Sequence, residues 1–158
     1  MMYEIFTEKT IIINASTFYN FRKNLKIERT KNPRKKIGFT STDDDLNRKI
    51  LEKENIDIFM PLLQNRKDFQ KQRNSGFNQV LSKIAKKNNV IIGINLDEII
   101  NSRGKNKADI LARVKQNIKL CNKNKLKMKF YGRSVRDIYS LKALGLVLGM
   151  NTSITKTL

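Results

Sequence analysis

Of the 158 residues, 33 are Lys or Arg and 14 are Asp or Glu, a formal charge of +19, and histidine is absent. That excess calls for a polyanionic partner, nucleic acid first among them. The missing imidazole removes the usual general base near neutral pH and the commonest transition-metal ligand, so the composition points away from self-contained hydrolytic chemistry.

A single cysteine, Cys121, excludes an internal disulfide and fits a reducing, cytoplasmic compartment. Residues 11–13 and 90–94, the longest apolar runs, are strand-length and too short to cross a bilayer, so no membrane partner is expected. The length suits one domain over residues 1–158, with 1–36 the least regular part.

In chain order, residues 3–6 and 10–14 read as short apolar strands, the second being Thr-Ile-Ile-Ile-Asn. A basic stretch follows, with a short helix expected around 17–25 and a strand at 37–40. Thr42 is a candidate N-cap, with Asp45 completing a capping box, for a helix to about Glu54 whose apolar face holds Leu46, Ile50 and Leu51. Residues 56–60 form a strand closed by Pro61. The loop 64–75 is dense in Arg and Lys, and Phe77, Val80, Leu81, Ile84 and Ala85 then share a helical face.

Residues 90–95 are apolar on both parities, as in a parallel strand covered on both sides. A polar loop at 101–107 leads to a helix with Leu111, Val114, Ile118 and Cys121 inward. A last strand at 127–131 precedes a helix over about 135–148, with Ile138, Leu141, Leu144 and Leu148 inward and Gly149 ending it. Alternating strands and helices specify an α/β fold with parallel strands.

Asp43, Asp44 and Asp45 are the one dense acidic cluster. A hard cation could use their oxygens, but three acids at a helix start are explained more simply by capping and the helix dipole. Cys121 lies on an apolar helix face with Lys119, Lys123 and Lys125 near it in sequence, but without a histidine it has no obvious base, which marks it as a small buried side chain. Arg66, Lys67, Lys71 and Arg73 precede one helix and Arg103, Lys105 and Lys107 another. In a parallel α/β fold such strand-to-helix loops gather at one end of the sheet, where phosphate oxygens can meet guanidinium forks. Phe18, Tyr19 and Phe21 could stack on unpaired bases, although core packing is the more ordinary fate of such rings.

Several segments together resemble a known family. They are Leu46-Asn47-Arg48-Lys49-Ile50-Leu51-Glu52, Ile56-Asp57-Ile58-Phe59-Met60-Pro61, Asn74-Ser75-Gly76-Phe77-Asn78-Gln79-Val80-Leu81 with Ile84-Ala85, and Val90-Ile91-Ile92-Gly93-Ile94-Asn95-Leu96. Arg133-Ser134-Val135-Arg136-Asp137 and Leu148-Gly149-Met150 complete the set. In this order they are similar to the ribonuclease P protein component 3 family, the archaeal counterpart of a nuclear ribonuclease P subunit. Gly93 stands where that family usually shows glutamate, and Val135 where it shows proline.

The resemblance implies a TIM-barrel-like α/β fold related to the PHP phosphoesterase superfamily, here a reduced or incomplete barrel. It also implies an accessory, non-catalytic subunit of a catalytic RNA that removes the 5′ leader from precursor tRNA. Its partners would be ribonuclease P RNA, a Pop5-type protein (component 2) in a heterodimer or heterotetramer, and precursor tRNA through the holoenzyme. No cofactor would be held by the protein itself, with Mg2+ accompanying the RNA. Arg48, Arg133 and Arg136, which lie in the matched segments, join the RNA-binding candidates. Two other readings remain: a stand-alone metal-dependent phosphoesterase or nuclease on the same fold, and a general RNA-binding protein.

Overall fold

The computed structural model describes residues 2–3, 9–133 and 136–158. In chain order its elements are β1 (Met2–Tyr3), β2 (Thr10–Asn14), α1 (Phe18–Lys31), β3 (Lys36–Thr40), α2 (Asp44–Lys53), β4 (Ile58–Phe59), α3 (Gln79–Lys87), β5 (Ile91–Asn95), α4 (Leu96–Asn101), α5 (Gly104–Asn124), β6 (Met128–Tyr131), α6 (Ile138–Leu148) and α7 (Thr152–Thr155). The strands form one sheet in sequential order β1-β2-β3-β4-β5-β6. β1 is antiparallel to β2, and β2 through β6 are parallel throughout. Among the described residues no pairing joins β6 back to β1, and the parallel strands with their intervening helices are TIM-barrel-like βα units.

Side-chain parity decides which face the helices cover. Ile11 and Ile13, Ile37 and Phe39, Phe59, Ile92 and Ile94, and Met128 share one core with the helices. Into it α1 sends Phe21 and Leu25, α2 sends Leu46, Ile50 and Leu51, α3 sends Leu81 and Ala85, and α5 sends Ile110, Val114, Ile118 and Cys121. The Phe21 and Phe39 rings meet edge to face with centroids 4.8 Å apart, a contact worth about 0.5–1.5 kcal/mol beyond the area it buries. The opposite parity carries a smaller cluster of Ile12, Ile58, Met60 and Tyr131.

Most strands begin and end within two residues of where their apolar runs place them; the helix boundaries move for local chemical reasons. The strand expected at 3–6 is seen as β1 at Met2–Tyr3, and residues 4–6 lie outside the described residues. α1 runs on to Lys31 because Glu28 continues the buried face and accepts from the Asn32 amide at 3.0 Å. Asp43, not Thr42, caps α2, its Oδ1 accepting from the N–H groups of Asp45 at 3.0 Å and Leu46 at 3.2 Å. Asn95 both ends β5 and caps α4 by accepting from the Asp97 N–H, so a short helix over Leu96–Asn101 fills the stretch ahead of the polar loop expected at 101–107. α5 already begins at Gly104, which places Lys105 and Lys107 on its first turns.

α6 begins at Ile138 and ends at Gly149, whose φ of 101° is readily reached without a side chain. Leu148 is buried, Leu141 and Leu144 half-buried, and Ile138 exposed, while Tyr139 and Val147 also stand in solvent. Cys121 is fully buried, as its place on an apolar stripe predicts, and burial raises its thiol pKa above the ordinary value.

Gly93 lies on the parity of the smaller cluster. A Cβ there would sit 3.1 Å from Tyr131 Cδ2 and 3.2 Å from Met60 Cβ. Gly93→Glu is therefore expected to lower stability by about 1–3 kcal/mol from overpacking alone. Pairing it with Tyr131→Ala should recover part of that loss in a double-mutant thermal-melting cycle; strictly additive losses would show that the two sites do not share space.

Candidate nucleic-acid interface

Because β2 to β6 are parallel, the segments following them emerge at the same end of the sheet. The longest is the segment 60–78 between β4 and α3, and it carries Arg66, Lys67, Lys71 and Arg73. A long polar segment of this kind needs partners for its backbone groups. Many of them come from four charged side chains, Arg113, Asp68, Glu98 and Arg66.

Arg113, on the buried face of α5, donates through Nη1 to the Leu63 carbonyl at 2.9 Å and through Nη2 to the Arg66 carbonyl at 2.8 Å. Its Nη2 and Nε also meet Asp68 Oδ1 at 2.9 and 3.2 Å. Asp68 in turn accepts from the Asn74 N–H at 2.9 Å, closing the loop on itself. From the other side the buried carboxylate of Glu98 accepts from the Leu63 N–H, both oxygens at 3.2 Å. Burial raises the Glu98 pKa, and the backbone donors of Leu63 and Gln64 oppose that rise.

Arg66 is part of this frame. Its guanidinium pairs with Asp44 at 3.0 Å, reaches Asn74 Oδ1 at 3.3 Å and bonds through Nε to the Leu62 carbonyl. Nη2 is buried without an acceptor among the described residues. The guanidinium occupies the space where a side chain at position 76 would begin, and Gly76 has φ +67°. Glycine within Asn-Ser-Gly-Phe-Asn is thus required by close packing and by backbone conformation together.

The basic candidates accordingly divide into two sets. Arg48 pairs with Glu52 at 2.8 Å, and Arg73 with Asp68 at 3.1 Å and Asp109 at 2.9 Å. Arg133 lies 4.0 Å from Asp97, whose oxygens also accept from the Arg133 N–H. The side chains of Lys67, Lys71, Arg103, Lys105, Lys107 and Arg136 make no hydrogen bond or ion pair with another described residue, and all but the half-buried Lys107 are exposed. Ser134 and Val135 of the matched segment lie outside the described residues. A polar cleft of about 420 Å³ runs between the segment 60–78 and the start of α5, lined by Asn65, Asn101, Ser102, Arg103 and Asn106 among others.

The remaining candidates have structural uses. Asp43 caps α2 and Asp44 pairs with Arg66; among the described residues no group of three or more His, Cys, Asp or Glu is placed to hold a metal ion. Phe21 is core and Phe18 packs against it, while Tyr19 is exposed. Sequence reasoning passed over Arg113, Glu98 and Asp68. For Arg113 a signal exists: it falls at helical spacing between Ile110, Val114 and Asn117, a charge on a buried stripe.

No family model matches the chain. It is similar to a curated protein named ribonuclease P protein component 3 from Methanococcus maripaludis strain C6, 29% identical over 116 residues, covering 73% of this chain and 47% of that protein. The protein of the same name from Methanosarcina mazei is 40% identical over 78 residues, covering 49% of this chain and 30% of that one. The family read from residues across roughly Ile37 to Met150 is thus the one these curated relatives are named for, and the chain spans about half their length or less. A chain in a cryo-EM structure of archaeal ribonuclease P with mature tRNA shares its fold, with a TM-score of 0.74 and 22% identity over 94% of this chain and 64% of that one.

Two consequences of the Arg113 frame are measurable. Arg113→Ala leaves the Leu63 and Arg66 carbonyls without their donor, at a cost of about 1–3 kcal/mol. It should lower the melting temperature and open residues 64–75 to protease; unchanged cleavage would show the loop is held by other means. The second concerns Asp68, whose carboxyl the Asn74 N–H, then Arg113 and Arg73, hold below its ordinary value of 3.8 against the effect of burial. A depressed folded pKa means its stabilisation is complete above the ordinary value and lost as pH falls through the folded one. Acidification below about pH 4 should therefore loosen the segment in the wild type, and Asp68→Asn should flatten that dependence.

Proposed function

We propose that this chain is an RNA-binding protein subunit of ribonuclease P. In this role it holds the catalytic RNA, and together with a Pop5-type component 2 it supports removal of the 5′ leader from precursor tRNA. The RNA carries the chemistry with its own Mg2+, and the protein contributes shape and positive charge. The observation that carries the proposal is the likeness to curated proteins named ribonuclease P protein component 3.

The site is consistent with that role in its charge and its rigidity. Lys67 and Lys71 project from a loop whose backbone is fixed by Arg113, Glu98 and Asp68, while Arg103 and Lys105 flank the start of α5. Cations without internal partners are free to displace counterions from phosphates, and a stiff loop loses little entropy when it does so. The arginines already paired in the fold, Arg66 and Arg73 above all, act in this scheme by positioning the loop.

Reconstitution tests the proposal. Ribonuclease P RNA with its Pop5-type protein should process precursor tRNA better when this chain is added, and no gain would refute the role. Reversing Lys67 and Lys71 to Glu should weaken RNA binding and reduce the slope of log affinity against log salt by about 0.7–0.9 for each phosphate no longer neutralised. A slope identical to wild type would remove these two residues from the interface.

A further inference from the structure

Above the starts of α2 and α3 lies a second cavity, of about 380 Å³, that the phosphate-binding scheme does not use. Two apolar side chains stand in solvent at its edge: Phe69, 58% exposed, and Val80, 52% exposed. Phe69 is the more unusual, a bare aromatic ring in the middle of a basic loop. Its turn is stiff. The Phe69 N–H bonds the Gln72 carbonyl at 3.0 Å, and the neighbouring residues are tied down by Arg73 to Asp68 and Asp109 and by the Asn74 N–H to Asp68. A ring held this way is a ready platform for stacking.

The polar lining argues for a base and against a phosphate. Arg48 and Arg73 reach the cavity, but Glu52, Asp68 and Asp109 already neutralise them. Asp45 also lines it, its carboxylate making no hydrogen bond with another described side chain and only a longer-range attraction to Arg48. A phosphate placed here would face that carboxylate. A nucleobase carrying an exocyclic amine would donate to it, with the apolar rim against its face.

The geometry points to this cavity as a pocket for one unpaired, amine-bearing nucleobase of RNA, stacked on Phe69 with Asp45 as the acceptor at its edge. The pocket deepens, and rests on, the RNA-binding role given above. It assigns base-level recognition to a segment whose lysines would otherwise read phosphate alone. Uracil, which lacks the amine, is the base it would favour least.

Fluorescence anisotropy with single-stranded oligoadenosine and oligouridine, on the intact chain across a salt series, tests the pocket. Phe69→Ala should weaken oligoadenosine binding about tenfold with the salt slope unchanged, since it removes a stacking surface and leaves every phosphate-binding cation in place. Phe69→Tyr should retain most of the affinity. Asp45→Ala should narrow the preference for adenosine over uridine. Thermal melting of each variant checks that the fold is intact, as expected for exposed positions. Unchanged affinity in Phe69→Ala, a reduced salt slope, or no adenosine preference in the wild type would each overturn the pocket. If reversal of Lys67 and Lys71 still lowers the slope while Phe69→Ala does nothing, the pocket fails and the RNA-binding role stands. If the wild type binds neither oligomer, both fail.

Discussion

Arg113 is buried with its guanidinium shared among two backbone carbonyls and one carboxylate, and the functional end of the molecule is arranged around it. A buried cation needs acceptors nearly as much as the loop needs donors. Each therefore supports the other: the loop supplies the acceptors of a cation buried on α5, and the Leu63 and Arg66 carbonyls have no other donor among the described residues. Asp68 extends the arrangement outward to Arg73 and Asp109, and Glu98 anchors it from β5's side. Surface cations on Lys67 and Lys71 gain a defined position from interactions they do not themselves make.

This division of labour explains how a chain of charge +19 can fold and still bind. Positive side chains near one another repel, and a fraction of them must be neutralised internally for the loop to close. Arg48, Arg66, Arg73 and Arg113 take carboxylate partners, while lysines at neighbouring positions remain open to solvent. The planar guanidinium suits the internal role because it can serve several acceptors at once. The flexible ammonium suits contact with an irregular polyanion.

The fold is largely legible in the chain, because strand and helix periods leave direct marks. Ile11–Ile13 and Ile91–Ile94 alternate between two apolar environments, and each reads as a strand without reference to anything distant. Caps are less legible: Thr42 and Asp43 are both good candidates, and the choice falls to Asp43 because Ser41 Oγ receives its N–H. The candidate site is read only in part. The density of Arg and Lys in 64–75 is plain, but which of them face outward depends on carboxylates far away in sequence, Asp44 for Arg66 and Asp109 for Arg73. Phe69 gives no periodic signal at all, since a single exposed ring differs from a core ring only in its surroundings.

Strand order equal to chain order has a consequence for biogenesis. Each strand adds to the edge left by the one before it, so every sheet pairing joins strands consecutive in the chain and can form as the polypeptide leaves the ribosome. The ties of Arg113 to Leu63 and of Arg73 to Asp109, by contrast, must wait until α5 has been synthesised. The basic loop is therefore fixed only once α5 has followed it, when β1 to β5 are already in place to support it.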